Sequence, residues 1–329
     1  MLIIQGVFRS GTTTLFRALR NDLGLQCYYE PLHPNLLDHV EESTEDHPSH
    51  SKSSLYSEFA SLDDSLESLY DPTFALHYAA MGSQDQAQGL QAYLRALADS
   101  EPSVVLQFNR GFWMAHWLRF QYPDSAFVHL VRDPRSVVWS QLTTASGDRV
   151  RMDWPLLGRR FLSLSSGNLQ NVFSPYAYLG AYHINDYLTA GRQLNRTFRD
   201  EISTWAQERL RAVQNAPPFV QALTLWGAQV RVCHQHAQNA FGDRYKLIRY
   251  EDLCRHPLHT LDQVYENFTY RVPDSVREYG ESSIHANQLA SWETVPGAKA
   301  RFRKGIYQAG IEPVLREVGY ASDDILSSD

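Results

Sequence analysis

The chain has 329 residues, 43% hydrophobic and 20% charged, with a formal net charge of −7, an ordinary balance for a globular enzyme. Its three cysteines, Cys27, Cys233 and Cys254, are too few and too scattered for a disulfide frame or a zinc site, which fits a reducing compartment. No apolar run reaches the ~18 residues of a membrane span, and the acidic balance argues against a nucleic-acid partner.

In chain order, residues 2–8 (LIIQGVF) read as a first strand, with no basic leader or cleavage site before it, so a cytoplasmic location is expected. A helix is predicted over 12–21, then a second strand at LQCYY, residues 25–29. Residues 38–101 follow, with 13 acids against only Lys52 and Arg95, a local balance of −11 that leaves +4 on the rest of the chain. Helical patterns at 91–99, 113–121 and 135–142 alternate with the strand candidates VVLQF (104–108) and AFVHLV (126–131). Beyond a Tyr-rich stretch within 143–215 come a helix at 219–240, the strand YKLIRY (245–250), and helices at 257–268 and 311–318. This alternation predicts a three-layer α/β/α domain around a parallel sheet of about five strands. The chain reads as one domain over 1–329, with insertions at about 38–100 and 143–215 expected to cover the carboxyl edge of the sheet, where such folds bind ligands.

The loop after the first strand carries the most information. Strand, Gly-containing loop and helix together aim backbone N–H groups and a helix dipole at an anion. The run Gly6-Val-Phe-Arg-Ser-Gly11-Thr12-Thr13 has the spacing of a phosphate-binding G-x-x-x-x-G-K-[ST] loop. Thr12 stands where that motif has lysine, and Arg9 supplies a positive charge inside the loop instead. A P-loop kinase or NTPase needs the lysine and a magnesium-holding acid. VVLQF carries no carboxylate, and Arg132 precedes Asp133 after AFVHLV. By itself the loop also fits a plain Ser/Thr-rich helix start.

FRSGTTTL resembles the 5′-phosphosulfate loop of the sulfotransferases that use 3′-phosphoadenosine 5′-phosphosulfate (PAPS). That resemblance implies that Arg9, Ser10, Gly11, Thr12, Thr13 and Thr14 cradle the 5′-phosphosulfate. VRDPRSVVWS resembles the family's second nucleotide segment, in which an arginine at a strand end and a serine two helical turns on hold the 3′-phosphate; here these are Arg132 and Ser140. Asp133 and Arg135 are expected to cap or brace that turn, and Pro134 to occupy the first helical turn. RYEDL, from Arg249, resembles a structural segment of the family. RFRKGIYQAG resembles a late loop that closes on the 3′-phosphate, making Arg303, Lys304 and Gly305 candidates. The implied co-substrate is PAPS, with 3′,5′-ADP as product and no metal.

Sulfuryl transfer to a hydroxyl needs a base, and CYYEPLHP places Glu30 at the end of the second strand, beside the loop. Burial among Tyr28, Tyr29 and Leu32 is expected to raise its pKa. Carbohydrate sulfotransferases have a similar EPL here, so the resemblance puts the base on Glu30, alongside the plain reading of a carboxylate capping the loop before Pro31. His33 is the alternative base. Where cytosolic small-molecule sulfotransferases have lysine and a catalytic histidine after the third strand, this chain has Gln107, Asn109 and Arg110; the last two are candidate donor or acceptor contacts. Tyr176, Tyr178 and Tyr182 are candidate acceptor contacts, their aromatic planes suiting a sugar or planar metabolite. The expected acceptor is a glycan or glycolipid-like hydroxyl, or else a secondary metabolite or phenol. A P-loop kinase or NTPase and a non-catalytic nucleotide-binding protein are the competing readings, and the sequence leaves the oligomeric state open.

Overall fold

Five apolar runs supply the strands: β1 (Leu2–Gly6), β2 (Gln26–Tyr29), β3 (Val104–Phe108), β4 (Ala126–Val131) and β5 (Tyr245–Arg249). Every residue of β1, β3 and β4 is buried. Runs without polar alternation need cover on both faces, and in a parallel sheet the crossover helices provide it. The computed structural model describes residues 1–44, 52–62, 68–78, 80–142, 204–213, 216–267, 271–289, 292–294 and 297–320. Tyr176, Tyr178 and Tyr182 lie outside the described residues.

The sheet is parallel throughout, in the order β2-β3-β1-β4-β5. β1 is central, with Ile3 facing Leu106 of β3 on one side and Phe127 of β4 on the other. The chain leaves β1 toward β2 and β3, then crosses to β4 and β5 on the opposite side. The strand order therefore reverses beside the carboxyl end of β1, the place where open α/β sheets form a ligand crevice.

Helices α1 (Thr12–Leu19), α2 (Leu36–Thr44), α3 (Gln88–Ala98), α4 (Ala115–Gln121) and α5 (Pro134–Leu142) lie between the first four strands and just beyond them. After them come α6 (Thr204–Ala212), α7 (Pro218–Phe241), α8 (Tyr250–Arg255), α9 (Pro257–Glu266), α10 (Asp274–Ser283), α11 (Ala298–Ala309) and α12 (Glu312–Glu317). α3 buries Leu90, Tyr93, Leu94 and Leu97, a helical stripe, and packs on β3. α1 packs on β1, β2 and α10, whereas α7 packs on β4, β5 and α4. Cys27, Cys233 and Cys254 are buried and form no disulfide.

The described part of the acidic insertion reaches beyond the carboxyl ends of the strands. A 3₁₀ segment at Lys52–Leu62 packs along the edge strand β2, its Tyr56 ring 5.5 Å from Tyr29 and its Phe59 ring 4.9 Å from Tyr28. Successive strand residues face opposite sides of a sheet, so contact with both tyrosines means that the segment wraps the edge and shields it from pairing. Glu58 of this segment pairs with Arg20, just past the end of α1. One expectation is corrected: RFRKGIYQAG forms the body of α11 and not a loop. Phe302, Gly305, Ile306 and Ala309 are buried at helical spacing. Gly305 packs against Phe219, and a built Cβ there would stand 2.2 Å from that ring, while Arg303 and Lys304 are exposed.

Candidate active site

The loop after β1 is tightly folded over the strand end. Ser10 N donates to Val7 O at 2.9 Å, and α1 opens with Thr14 N donating to Gly11 O at 2.9 Å. Gly11, at φ +95°, caps the helix in the left-handed region. Only glycine fits there: a Cβ would lie 2.1 Å from the Tyr250 ring. Arg9 has φ +73° and Glu30 φ +43°, so both functional candidates sit in backbone regions that cost non-glycine residues about 1–3 kcal/mol. The first N–H groups of α1 have no intrahelical acceptor and point out of the helix start. The Ser10 hydroxyl is fully buried and has no hydrogen-bond partner among the described residues. A buried orphan hydroxyl, a helix N-terminus and an arginine suit an anionic phosphosulfate.

The end of β4 meets this loop directly. Arg132 donates to the carbonyl of Arg9 at 3.2 Å, and the Arg9 guanidinium donates to Ser140 Oγ at 2.9 Å. The two segments expected to bind opposite ends of one nucleotide thus share a single edge. Burial, and then the neighbouring Arg132 charge, hold the Arg9 pKa below its ordinary value.

Tyr250, at the start of α8, underlies both groups: the Arg132 guanidinium lies 4.6 Å from its ring centroid, and its hydroxyl pairs with Thr14. Burial pushes the Tyr250 phenol up to about 12. Asp133 caps α5 by accepting from Arg135 N at 2.8 Å and pairs with the Arg135 side chain at 2.7 Å, the bracing role expected of it. The Glu251 carboxylate accepts from Asp133 N at 3.1 Å and from the Tyr320 hydroxyl at 2.7 Å, tying RYEDL to the β4 turn.

Glu30 closes the other side of the edge. It is 3% exposed, accepts from Asn109 Nδ2 at 2.5 Å and forms an ion pair with Arg110. Asn109 in turn accepts from Thr12 Oγ1 and from Gln107 Nε2, each at 3.0 Å. Thr13 Oγ1 shares a 2.7 Å hydrogen bond with the Tyr29 hydroxyl. Burial, and then Glu30, push the Tyr29 phenol well above its usual range. His33 is half-buried, its Nδ1 accepting from Asn35 N at 3.2 Å and its ring 4.7 Å from His39.

Residues 2–163, just under half of the chain, match the sulfotransferase family model. They span β1 to β4, the loop at Arg9–Thr14, Glu30 and the Arg132–Ser140 segment. That match is consistent with the sulfotransferase family. Among solved structures, the sulfotransferase domain from the curacin biosynthetic pathway is 17% identical, with 95% of this chain and 98% of that one covered and a TM-score of 0.45. A sulfotransferase from Alicyclobacillus acidocaldarius is 14% identical, covering 100% and 96%, with a TM-score of 0.41. The sulfotransferase domain of the Synechococcus PCC 7002 olefin synthase is 17% identical, covering 94% and 93%, with a TM-score of 0.45. No curated protein matches the sequence.

The edge gathers Arg9, Ser10, Gly11, Thr12, Thr13, Thr14, Glu30, Asn109, Arg110, Arg132 and Ser140, with His33 beside it. Arg303, Lys304 and Gly305 belong instead to the outer helix α11. Sequence reasoning missed the site role of Tyr250, although RYEDL was recognised as a unit. The clue was in Gly11, since a glycine forced by close approach requires a bulky neighbour. Tyr56 was also missed, because nothing in a Ser-rich acidic stretch ties it to β2. Among the described residues no helix is long and apolar enough to cross a membrane.

Proposed function

We propose that this sulfotransferase takes its sulfuryl group from PAPS and passes it to an acceptor hydroxyl, with Glu30 as general base. The observation that carries this reading is the pair of contacts joining the two anion-binding segments, Arg132 to the Arg9 carbonyl and Arg9 to Ser140. PAPS, when bound, supplies an activated sulfuryl group on a phosphate leaving group. The Arg9–Thr14 loop, through its amides, hydroxyls and guanidinium, would hold the 5′-phosphosulfate, and Arg132 with Ser140 the 3′-phosphate. Glu30 takes the acceptor's proton as the new O–S bond forms and the S–O bond to phosphate breaks, leaving 3′,5′-ADP. Arg110 fixes the Oε2 oxygen of Glu30, which leaves Oε1 to receive the proton.

The acceptor is proposed to be a glycan or glycolipid-like hydroxyl, on the EPL resemblance, in preference to a phenol or secondary metabolite. No metal is assigned a step. The test is a thermal-shift comparison of 3′,5′-ADP with ATP, followed by an acceptor panel with labelled PAPS in the presence of EDTA. Stabilisation by 3′,5′-ADP and labelled product support the reading. Magnesium-dependent ATP turnover would replace it with a kinase or NTPase, and 3′,5′-ADP binding without product on any acceptor with a non-catalytic nucleotide-binding protein.

A further inference from the structure

Glu30 is wired to the donor loop through one amide. Thr12, Glu30, Gln107 and Asn109 are each at most 3% exposed, so their polar groups must satisfy one another. Asn109 donates to Glu30 at 2.5 Å and uses its carbonyl oxygen twice, for Thr12 and for Gln107, at 3.0 Å each. An ionised carboxylate only accepts, which fixes the polarity of the chain: Nδ2 must face Glu30, and the Thr12 hydroxyl must donate to Asn109. The network also holds one spare acceptor, because Gln107 Oε1 is buried with no partner among the described residues.

Protonation of Glu30 at Oε1 turns that acceptor into a donor. With that proton directed at Asn109, the contact is satisfied when Asn109 turns its amide over, which sends Nδ2 toward Thr12 and toward the Gln107 side chain, which turns in step so that its spare oxygen receives it. The Thr12 hydroxyl is released from Asn109 and becomes available to the loop. We propose that Asn109 is a positioning residue that couples the proton state of Glu30 to the hydroxyl of Thr12, so that uptake of the acceptor's proton at one end frees a donor for the leaving phosphate at the other. One proton passes from acceptor oxygen to Glu30; the Thr12 proton only reorients. This inference rests on Glu30 being the base. The groups facing Glu30 are Tyr29 from β2, Arg110 from the end of β3, and Tyr56 from the 3₁₀ segment. Burial, and then Glu30 itself, push both phenols up.

The test is the pH dependence of kcat with PAPS and a turned-over acceptor. Asn109→Asp sets a second carboxylate against Glu30 and should move the acid limb upward by about one pH unit or more, leaving 3′,5′-ADP affinity unchanged. Thr12→Val does not touch Glu30 and should nevertheless move the same limb upward, because Asn109 loses a donor that holds it in place; Thr12→Ser should restore the wild-type profile. Should Asn109→Asp fail to fold, the Thr12 pair decides alone. Acid limbs of Asn109→Asp and Thr12→Val that overlay wild type overturn the coupling, provided Glu30→Gln is inactive. A Glu30→Gln enzyme that still turns over removes the base reading itself.

Discussion

The two ends of the site edge are built on opposite electrostatic plans. At the β1 and β4 end, two arginines are pressed close enough for Arg132 to depress the Arg9 pKa, and Arg9 finds a hydroxyl as its partner. At the β2 and β3 end, Glu30 is already neutralised by Arg110 and hydrogen-bonded by Asn109. The first arrangement is a cationic cradle whose repulsion an incoming anion relieves, which favours tight binding of a polyanion. The second is internally balanced and gains little from a charged ligand, which suits a group that must gain and lose one proton. In the proposed reaction, binding and proton transfer are separated along one sheet edge, whose two ends Asn109 and the Thr13–Tyr29 contact join.

Substitutions that strike one end and spare the other test this division. The largest effect is expected from Glu30→Gln, which should lower turnover by about 10²–10⁴-fold while 3′,5′-ADP binding, measured by calorimetry, is retained. Loss of both together would show that the two ends are one unit. Arg132→Ala should weaken 3′,5′-ADP by about 10–100-fold, the worth of charge-assisted hydrogen bonds to a phosphate. Unchanged affinity would remove the nucleotide from the cationic end.

Gly11→Ala forces a Cβ into the Tyr250 ring at φ +95°. It should cost about 1–3 kcal/mol in chemical denaturation, and a neutral result would mean that the cradle is not pinned from below. The smallest effect near neutral pH belongs to His129 in β4, completely buried, with Nε2 lacking a partner among the described residues. Burial, reinforced by His234, pulls its pKa down to about 3 from 6.5. The unfolded chain then binds the extra proton, so stability is complete above about pH 6.5 and falls as acid is added toward pH 3. The loss should be below about 1 kcal/mol at pH 6 and grow further down. Thermal melts of His129→Gln should show a flatter acid limb, which separates acid unfolding from protonation of Glu30.

All five strands and the helices at α1, α3, α4, α5, α7, α9 and α12 were legible as sequence, with boundaries shifted by up to three residues. Apolar runs, Pro134 and Gly11 act locally, and local signals survive without a partner. α2, α6, α10 and α11 were not read, and in α11 the basic residues Arg303 and Lys304 drew attention from the buried stripe Phe302, Gly305, Ile306 and Ala309. The chain by itself marked the candidates for anion and proton chemistry: Arg9, Ser10, Glu30, Arg132 and Ser140 stand out because charge and hydroxyl types at strand ends have few other uses. Only the tertiary structure decided that Arg132 bonds the Arg9 carbonyl, that Arg110 neutralises Glu30, that Tyr250 lies under Gly11 and that Tyr56 reaches β2. Those contacts join residues 27 to 239 positions apart, and strand order, which no single segment encodes, is what brings them into contact.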